Sequence, residues 1–341
     1  MPFIHSLKII TMNTKIKKLI PIVALFPMCL NAITYTADPG AGSIDINGGA
    51  TFDSSGGNFN SSADLFGNGD LTVQGGGTVR FLASSGASTF TGSIFLNSQT
   101  AYDAVGFFGN NGNVINIGTS LFRSRNGGTL ENDIVVLQNT QIDNATTGTT
   151  LTINGNVATN FNVFLGTGFN IADRNVAVVG VVSGSGGLSN GNGPLSSTFS
   201  LQANNTYSGT TLVRSGLWNV NGMHNAQSDY TVTANGTLGG TGTIALNSGT
   251  QLNITGTLDL NSLTFDVSAF SGTSSPITIV DYTGGALSNV PADLQTILTN
   301  SPLWTLSDTG TSLQVIPEPS TFSMLAGALA LGIVFNRRRM R

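Results

Sequence analysis

One cysteine, two histidines and four lysines are all that this 341-residue chain holds of three residue types that commonly supply nucleophiles, bases and metal ligands. The cysteine, Cys29, lies in an apolar stretch near the N-terminus. If that stretch is removed on export, disulfides, thiol catalysis and cysteine-ligated zinc are all excluded for the remainder. Past residue 32 the only imidazole belongs to His224, beside Met223 in a Gly/Asn-rich stretch that predicts a solvated loop residue. Catalysis of the Ser-His-Asp kind would have to use it as the base, and imidazole metal coordination fails on the same count. Charge is scarce too, with 13 Lys+Arg and 17 Asp+Glu. With 40% hydrophobic residues the chain is too apolar for the disordered class. Its few cations exclude a nucleic-acid binder by bulk charge.

The cations are sorted by position. Lys8, Lys15, Lys17 and Lys18 precede residue 20, and Arg337, Arg338, Arg339 and Arg341 follow residue 336. Between Ile33 and Ile316 there is no lysine; 5 arginines stand against 16 carboxylates, a net charge of 5 − 16 = −11. A body so acidic and free of lysine is expected not to bind acidic polymers without metal ions.

Both ends read as address labels. Lys15, Lys17 and Lys18 precede the apolar run Leu19 to Leu30, then Asn31 and Ala32. A basic segment, a short apolar one and a small residue at the cut describe a signal peptide over 1–32, cleaved after Ala32, with Met12 the more ordinary start. The competing reading, a buried amphipathic helix, is disfavoured by Pro21 and Pro27. At the other end Pro317-Glu318-Pro319-Ser320-Thr321 is followed by an uncharged run, Phe322 to Phe335, and the arginine cluster. The run is shorter than the roughly 20 residues that span a bilayer comfortably; an ordinary anchor or a short core helix is the plain alternative. The arginines would stay on the cytoplasmic side. This segment, 317–341, resembles the PEP-CTERM sorting signal of bacteria. The resemblance implies recognition of Pro317, Glu318 and Pro319 by an exosortase, a membrane-embedded cysteine protease, after export by the Sec machinery and signal peptidase. It also implies transient anchoring in the inner membrane by the tail whose basic end is Arg337, Arg338, Arg339 and Arg341.

Between the labels, short β-branched segments such as Thr78 to Leu82, Val114 to Ile117 and Ile134 to Leu137 alternate with Gly, Asn, Ser and Asp. That is strand composition with turn punctuation. The one helical stretch expected is Ala292 to Leu298, as a cap. Glycine makes up 44 residues, about 13% where ~7% is usual. Gly216, Gly236 and Gly256 recur at intervals of 20 with matching flanks, and Gly128, Gly148 and Gly168 repeat that interval upstream. A unit of this size suits a solenoid. The expected fold is therefore all-β, a right-handed parallel β-helix of roughly a dozen turns; an antiparallel β-sandwich pair is the competing architecture. Gly184 to Leu188, Leu201 to Val213, Ser215 to Leu217 and Thr237 to Ile244 are similar to the autotransporter-associated β-strand repeat. That resemblance assigns 179–316 to such repeats and leaves 33–178 as a further solenoid region. It implies a stalk-like fold; with a sorting tail where that family has its β-barrel translocator, export by the autotransporter route is not implied.

Chemistry has few candidates. Glu131 and Asp133 are the best carboxylate pair for glycoside hydrolysis, on one face if their segment is a strand. Arg123 and Arg125 are the closest arginine pair for a lyase. Gly67-Asn68-Gly69-Asp70 is a single copy of a calcium-type turn, Gly184 to Gly187 lacks the context of a dinucleotide fingerprint, and Asn144, Asn204 and Asn235 stand in sequons. No catalytic residue, metal or cofactor is expected. The expectation is an exported cell-surface or extracellular-matrix protein, structural or adhesive, of the biofilm kind. The alternative is a β-helix enzyme that binds or degrades extracellular polysaccharide.

Overall fold

The computed structural model describes residues 32–82, 88–103, 105–166, 173–191, 196–225, 228–247, 249–270, 275–301 and 303–318. Over these residues the chain is a parallel β-solenoid of about 10 turns with almost no helix. The strands are parallel from coil to coil, so the sandwich is excluded. Both stretches, 33–178 and 179–316, feed the same ladders.

Each full coil lays one strand on each of three faces. The first face is the most continuous. Ala50, Leu71, Ile94, Ile115, Ile134, Val157 and Val182 stack in register. The column then passes beside Asn205, which bridges to His224, and continues through Ile244, Phe265 and Leu298. The second face carries strands 78–81, 99–102, 121–124, 140–144, 163–165 and 188–190. The third stacks Leu151, Val176, Phe199, Trp218, Leu238, Leu258 and Leu287. Two ten-residue strands, Thr211–Val220 and Tyr230–Gly239, run through the corner between second and third faces with a register irregularity between Val213 and Ser215.

Alternation drives this arrangement. In strand 78–81 Val79 and Phe81 are buried while Thr78 and Arg80 are not, as period-two side chains require. The inward residues form one core. In the first third it is aromatic, with Tyr102 and Phe122 5.0 Å apart and Phe52 edge-on to Phe81. Farther along it becomes mainly aliphatic.

Corners explain the asparagine and glycine. A corner amide leaves its strand ladder and needs another acceptor. The side chain at the equivalent corner of the preceding coil supplies it: the amide of Asn156 donates to Asp133 Oδ1 (2.7 Å), and that of Val181 to Asn156 Oδ1 (3.0 Å). Asn113 and Asn132 turn inward and donate to backbone carbonyls, Asn132 Nδ2 to Asn110 and Asn113.

The chain closes antiparallel. Strand 312–317 pairs with 277–281 on one side and 304–308 on the other, which covers a ladder edge that would otherwise template another chain. The helix expected over Ala292 to Leu298 is only a 3₁₀ turn, Leu294–Ile297, capped by Asp293 accepting from the Gln295 amide. The chain must rejoin the ladder at Leu298, which leaves no room for a longer one.

Candidate functional site

The sequence-derived sites fall in different places. Ala32 is exposed and immediately precedes strand 33–35. Pro317 ends the last strand opposite Trp304, and the Glu318 amide donates to the Leu303 carbonyl (2.8 Å). Pro319 and Arg337, Arg338, Arg339 and Arg341 lie outside the described residues, as does the apolar segment between them. Glu131 and Asp133 are exposed, but in a corner and not on a strand. Glu131 Oε1 accepts from Asn154 and Asp133 Oδ1 from the Asn156 amide, so both bind the next coil. Asp70 does the same, accepting from the Ser93 amide (2.8 Å). Among the described residues no group of three His, Cys, Asp or Glu is placed to hold a metal. Asn144 is fully buried and donates to Thr149 and Asn175 carbonyls, which removes it as a glycan acceptor; Asn204 and Asn235 are exposed.

His224 corrects its expectation. It is not a solvated loop residue: it is fully buried, at the first-face position that stacks on Ile244. Its ring lies over that of Tyr207 at 4.1 Å and edge-on to Tyr230. Nε2 faces the Tyr207 carbonyl at 3.1 Å, an acceptor only, so Nε2 carries the proton and Nδ1 accepts from the Tyr230 hydroxyl. Burial holds the imidazole pKa down at about 4 and pushes the phenols of Tyr207 and Tyr230 up.

The folded chain thus binds fewer protons at His224 than the unfolded chain between about 4 and 6.5. Its contribution is complete above pH 6.5 and is lost as pH falls toward 4, about 3 kcal/mol in all. Urea denaturation from pH 7 to 4.5 should show that decline in the wild type and a flatter one in His224→Gln, whose amide can serve both partners without titrating. Equal slopes would mean that His224 does not carry the dependence.

The feature not legible beforehand is the outer surface of the second face. All five arginines of the acidic body lie there or at the corner that ends it. Arg80 and Arg123 point outward from strands 78–81 and 121–124 in one row, with Ala101 between them. Arg125 follows, Arg214 stands in strand 211–220, and Arg174 opens strand 174–178 just past the corner. Arg80 binds Asp103 through two nitrogens (3.0 and 2.7 Å), and Arg125 reaches the same carboxylate at 3.6 Å. Arg123 Nε binds the fully buried Asp143 at 2.7 Å. Burial pushes that carboxyl pKa up, and Arg123 opposes the shift. Among the described residues Arg174 and Arg214 have no carboxylate within ion-pair distance. Arg214 instead lies on the Phe164 ring, 4.8 Å from its centre.

Two clefts open along this face. One, of about 550 Å³, has Gln141, Phe164, Ser189 and Leu212 stacked in register along its floor and Arg214 at one side. The other, of about 400 Å³, is lined by Arg80, Arg123 and Arg125. Leu121 pairs with Gln141, so the second continues into the first. Arg80, Arg123 and Arg214 are 43 and 91 residues apart in sequence; only a known coil length would have revealed that they share a face. Comparison with known protein families, with curated proteins and with solved structures finds no match.

Proposed function

We propose that this chain is an exported, exosortase-processed surface or matrix protein whose body is a structural and adhesive scaffold without catalysis of its own. The observation that carries the reading is the use made of the body's polar groups: the candidate acid pair Glu131 and Asp133, Asp70 and the corner asparagines all bind the neighbouring coil. His224, the one histidine of the body, is enclosed in the core. Such a body supplies length, rigidity and a long lateral surface. Its coils follow the right-handed sense that parallel crossovers prefer. The charge pattern supports export: a basic and apolar segment before Ala32, and Pro317-Glu318-Pro319 before a second apolar run and arginines.

Cell fractionation with mass spectrometry of the mature termini tests this. The expected product begins at Ile33, has lost Arg337 to Arg341, and is found on the cell surface or in the matrix. Changing Pro317, Glu318 and Pro319 to alanine should leave the tail attached and the protein in the membrane. Recovery of the variant outside the cell with the same termini as the wild type would overturn the sorting assignment.

A further inference from the structure

We infer that the arginine-bearing second face is a binding surface for a linear acidic polysaccharide laid along the solenoid axis, with uronate-type carboxylates received by Arg214, Arg123 and Arg125. The inference rests on the adhesive part of the proposed function for its choice of ligand, and on the surface alone for its chemistry.

Charge comes first. The body carries 16 carboxylates and 5 arginines. Asp103 and Asp143 are paired with arginine on this face and Asp173 stands beside Arg174 at its corner, leaving 5 − 3 = +2 here and 16 − 3 = 13 carboxylates over the rest. One positive strip on an acidic body attracts a polyanion to that strip and repels it elsewhere. The inference runs against the expectation, drawn from net charge and missing lysines, that acidic polymers would not bind without metal.

Arg214 sets the position. Its charge has no carboxylate partner among the described residues, and its planar group rests on Phe164 beside the larger cleft. A guanidinium seated over a ring beside the cleft can meet a carboxylate through two parallel hydrogen bonds. Neutral donors line the same cleft. Asn139 and Asn162 use Oδ1 to accept from the Asn162 and Gly187 amides of the following coils. Their Nδ2 groups have no protein acceptor among the described residues.

Geometry selects a polymer of sugars. From strand 78–81 to strand 211–220 the face crosses six strand spacings, about 29 Å. That is too long for one small anion. An extended chain of pyranose rings advances by roughly one ring per strand spacing of ~4.8 Å, so hydroxyls and carboxylates would meet a similar set of side chains at each coil. A single-stranded nucleic acid would want exposed rings on which to stack its bases. Phe164, the ring on the cleft floor, is already covered by Arg214.

Binding of the purified full chain to polygalacturonate, to neutral dextran and to oligo(dT), by biolayer interferometry at 50 and 500 mM NaCl, tests the inference. Polygalacturonate should bind at low salt and weaken strongly at high salt, and dextran should not bind. Arg214→Gln and Arg125→Gln should each weaken binding roughly ten-fold without moving the melting temperature, and Arg214→Lys should recover part of the loss. Arg214 has no carboxylate partner among the described residues, and Asp103 keeps both bonds to Arg80 when the 3.6 Å contact of Arg125 is lost, so folding is preserved. Equal binding of dextran, unchanged affinity in both glutamine variants, or tighter binding of oligo(dT) than of polygalacturonate would each overturn the inference. Because binding is measured on purified protein, its failure is distinct from a failure of tail processing.

Discussion

Gly222→Val should split the solenoid near its middle, costing about 3 kcal/mol or more. Gly222 lies two residues before His224 in the first-face column. A Cβ placed there would come within 2.1 Å of the Ala203 carbonyl oxygen and 2.5 Å of that of Gln202. These are backbone atoms of the coil below and cannot swing aside. The φ of Gly222 is not in the left-handed region, so the requirement is for space and not for glycine's conformational range. The same corner recurs at Gly155, Gly180 and Gly242, each with a carbonyl oxygen of the preceding coil within about 2.1 Å of its absent Cβ. Gly148 is the contrast. Its φ is +75° and nothing lies within 4 Å, so Gly148→Ala should cost only about 1–2 kcal/mol of backbone strain. Stability in stacked repeats is a nearest-neighbour sum, and hydrogen exchange resolves it along the chain. Gly222→Val should lose protection in strands 211–220 and 230–239 first, with strands 115–117 and 134–136 retaining theirs. Uniform protection in the variant would show that the coils tolerate a wider spacing there.

That column marks how much could be read in advance. Gly216, Gly236 and Gly256 announce a real stack: Gly216 pairs with Gly236, and the Gly256 Cβ would strike the Gly236 carbonyl. The upstream set does not. Gly128 stands opposite Leu151, not Gly148, because the coil there is 23 residues long. Between Ala50 and Phe265 the first-face step varies from 19 to 25 residues. Asn113, Asn132 and Ala203 replace glycine in its corner column, so no fixed interval exposes it. Strand composition needs no register and was therefore legible; the outward row of arginines needs the register at every coil and was not. The solvated-loop expectation for His224 fails for a related reason. Its polar neighbours in sequence, Gly222 and Asn225, occupy the corner, while of its partners Tyr207 comes from the preceding coil and Tyr230 from the strand six residues on, across that corner.

Arg123→Met and Asp143→Leu should have very unequal consequences although they break the same ion pair. Asp143 is fully buried, with Oδ1 lacking a hydrogen-bond partner, whereas the Arg123 side chain keeps 23% of its surface in solvent. Removing the arginine leaves a buried carboxylate with the more distant Arg174 and the Asn144 amide to offset it, a loss of about 3–5 kcal/mol at pH 7. Removing the carboxylate leaves a guanidinium that can turn to water, and an apolar side chain fills the site; the change should stay within about 1 kcal/mol. The pH dependence follows from the raised Asp143 pKa. The folded state holds that proton more tightly than the unfolded one, so Asp143 lowers stability once pH rises above its folded pKa and ceases to do so below the unfolded value near 3.8. Arg123→Met raises the folded pKa further, so the variant should recover part of its deficit as pH falls from 7 to 5. Over that interval His224 loses stability in wild type and variant alike, and the difference between the two proteins isolates the carboxyl. Urea midpoints at pH 7 and 5 for wild type, Arg123→Met and Asp143→Leu measure all three terms. A deficit for Asp143→Leu as large as that for Arg123→Met would show that the pair contributes net stability and that the buried charge is fully compensated.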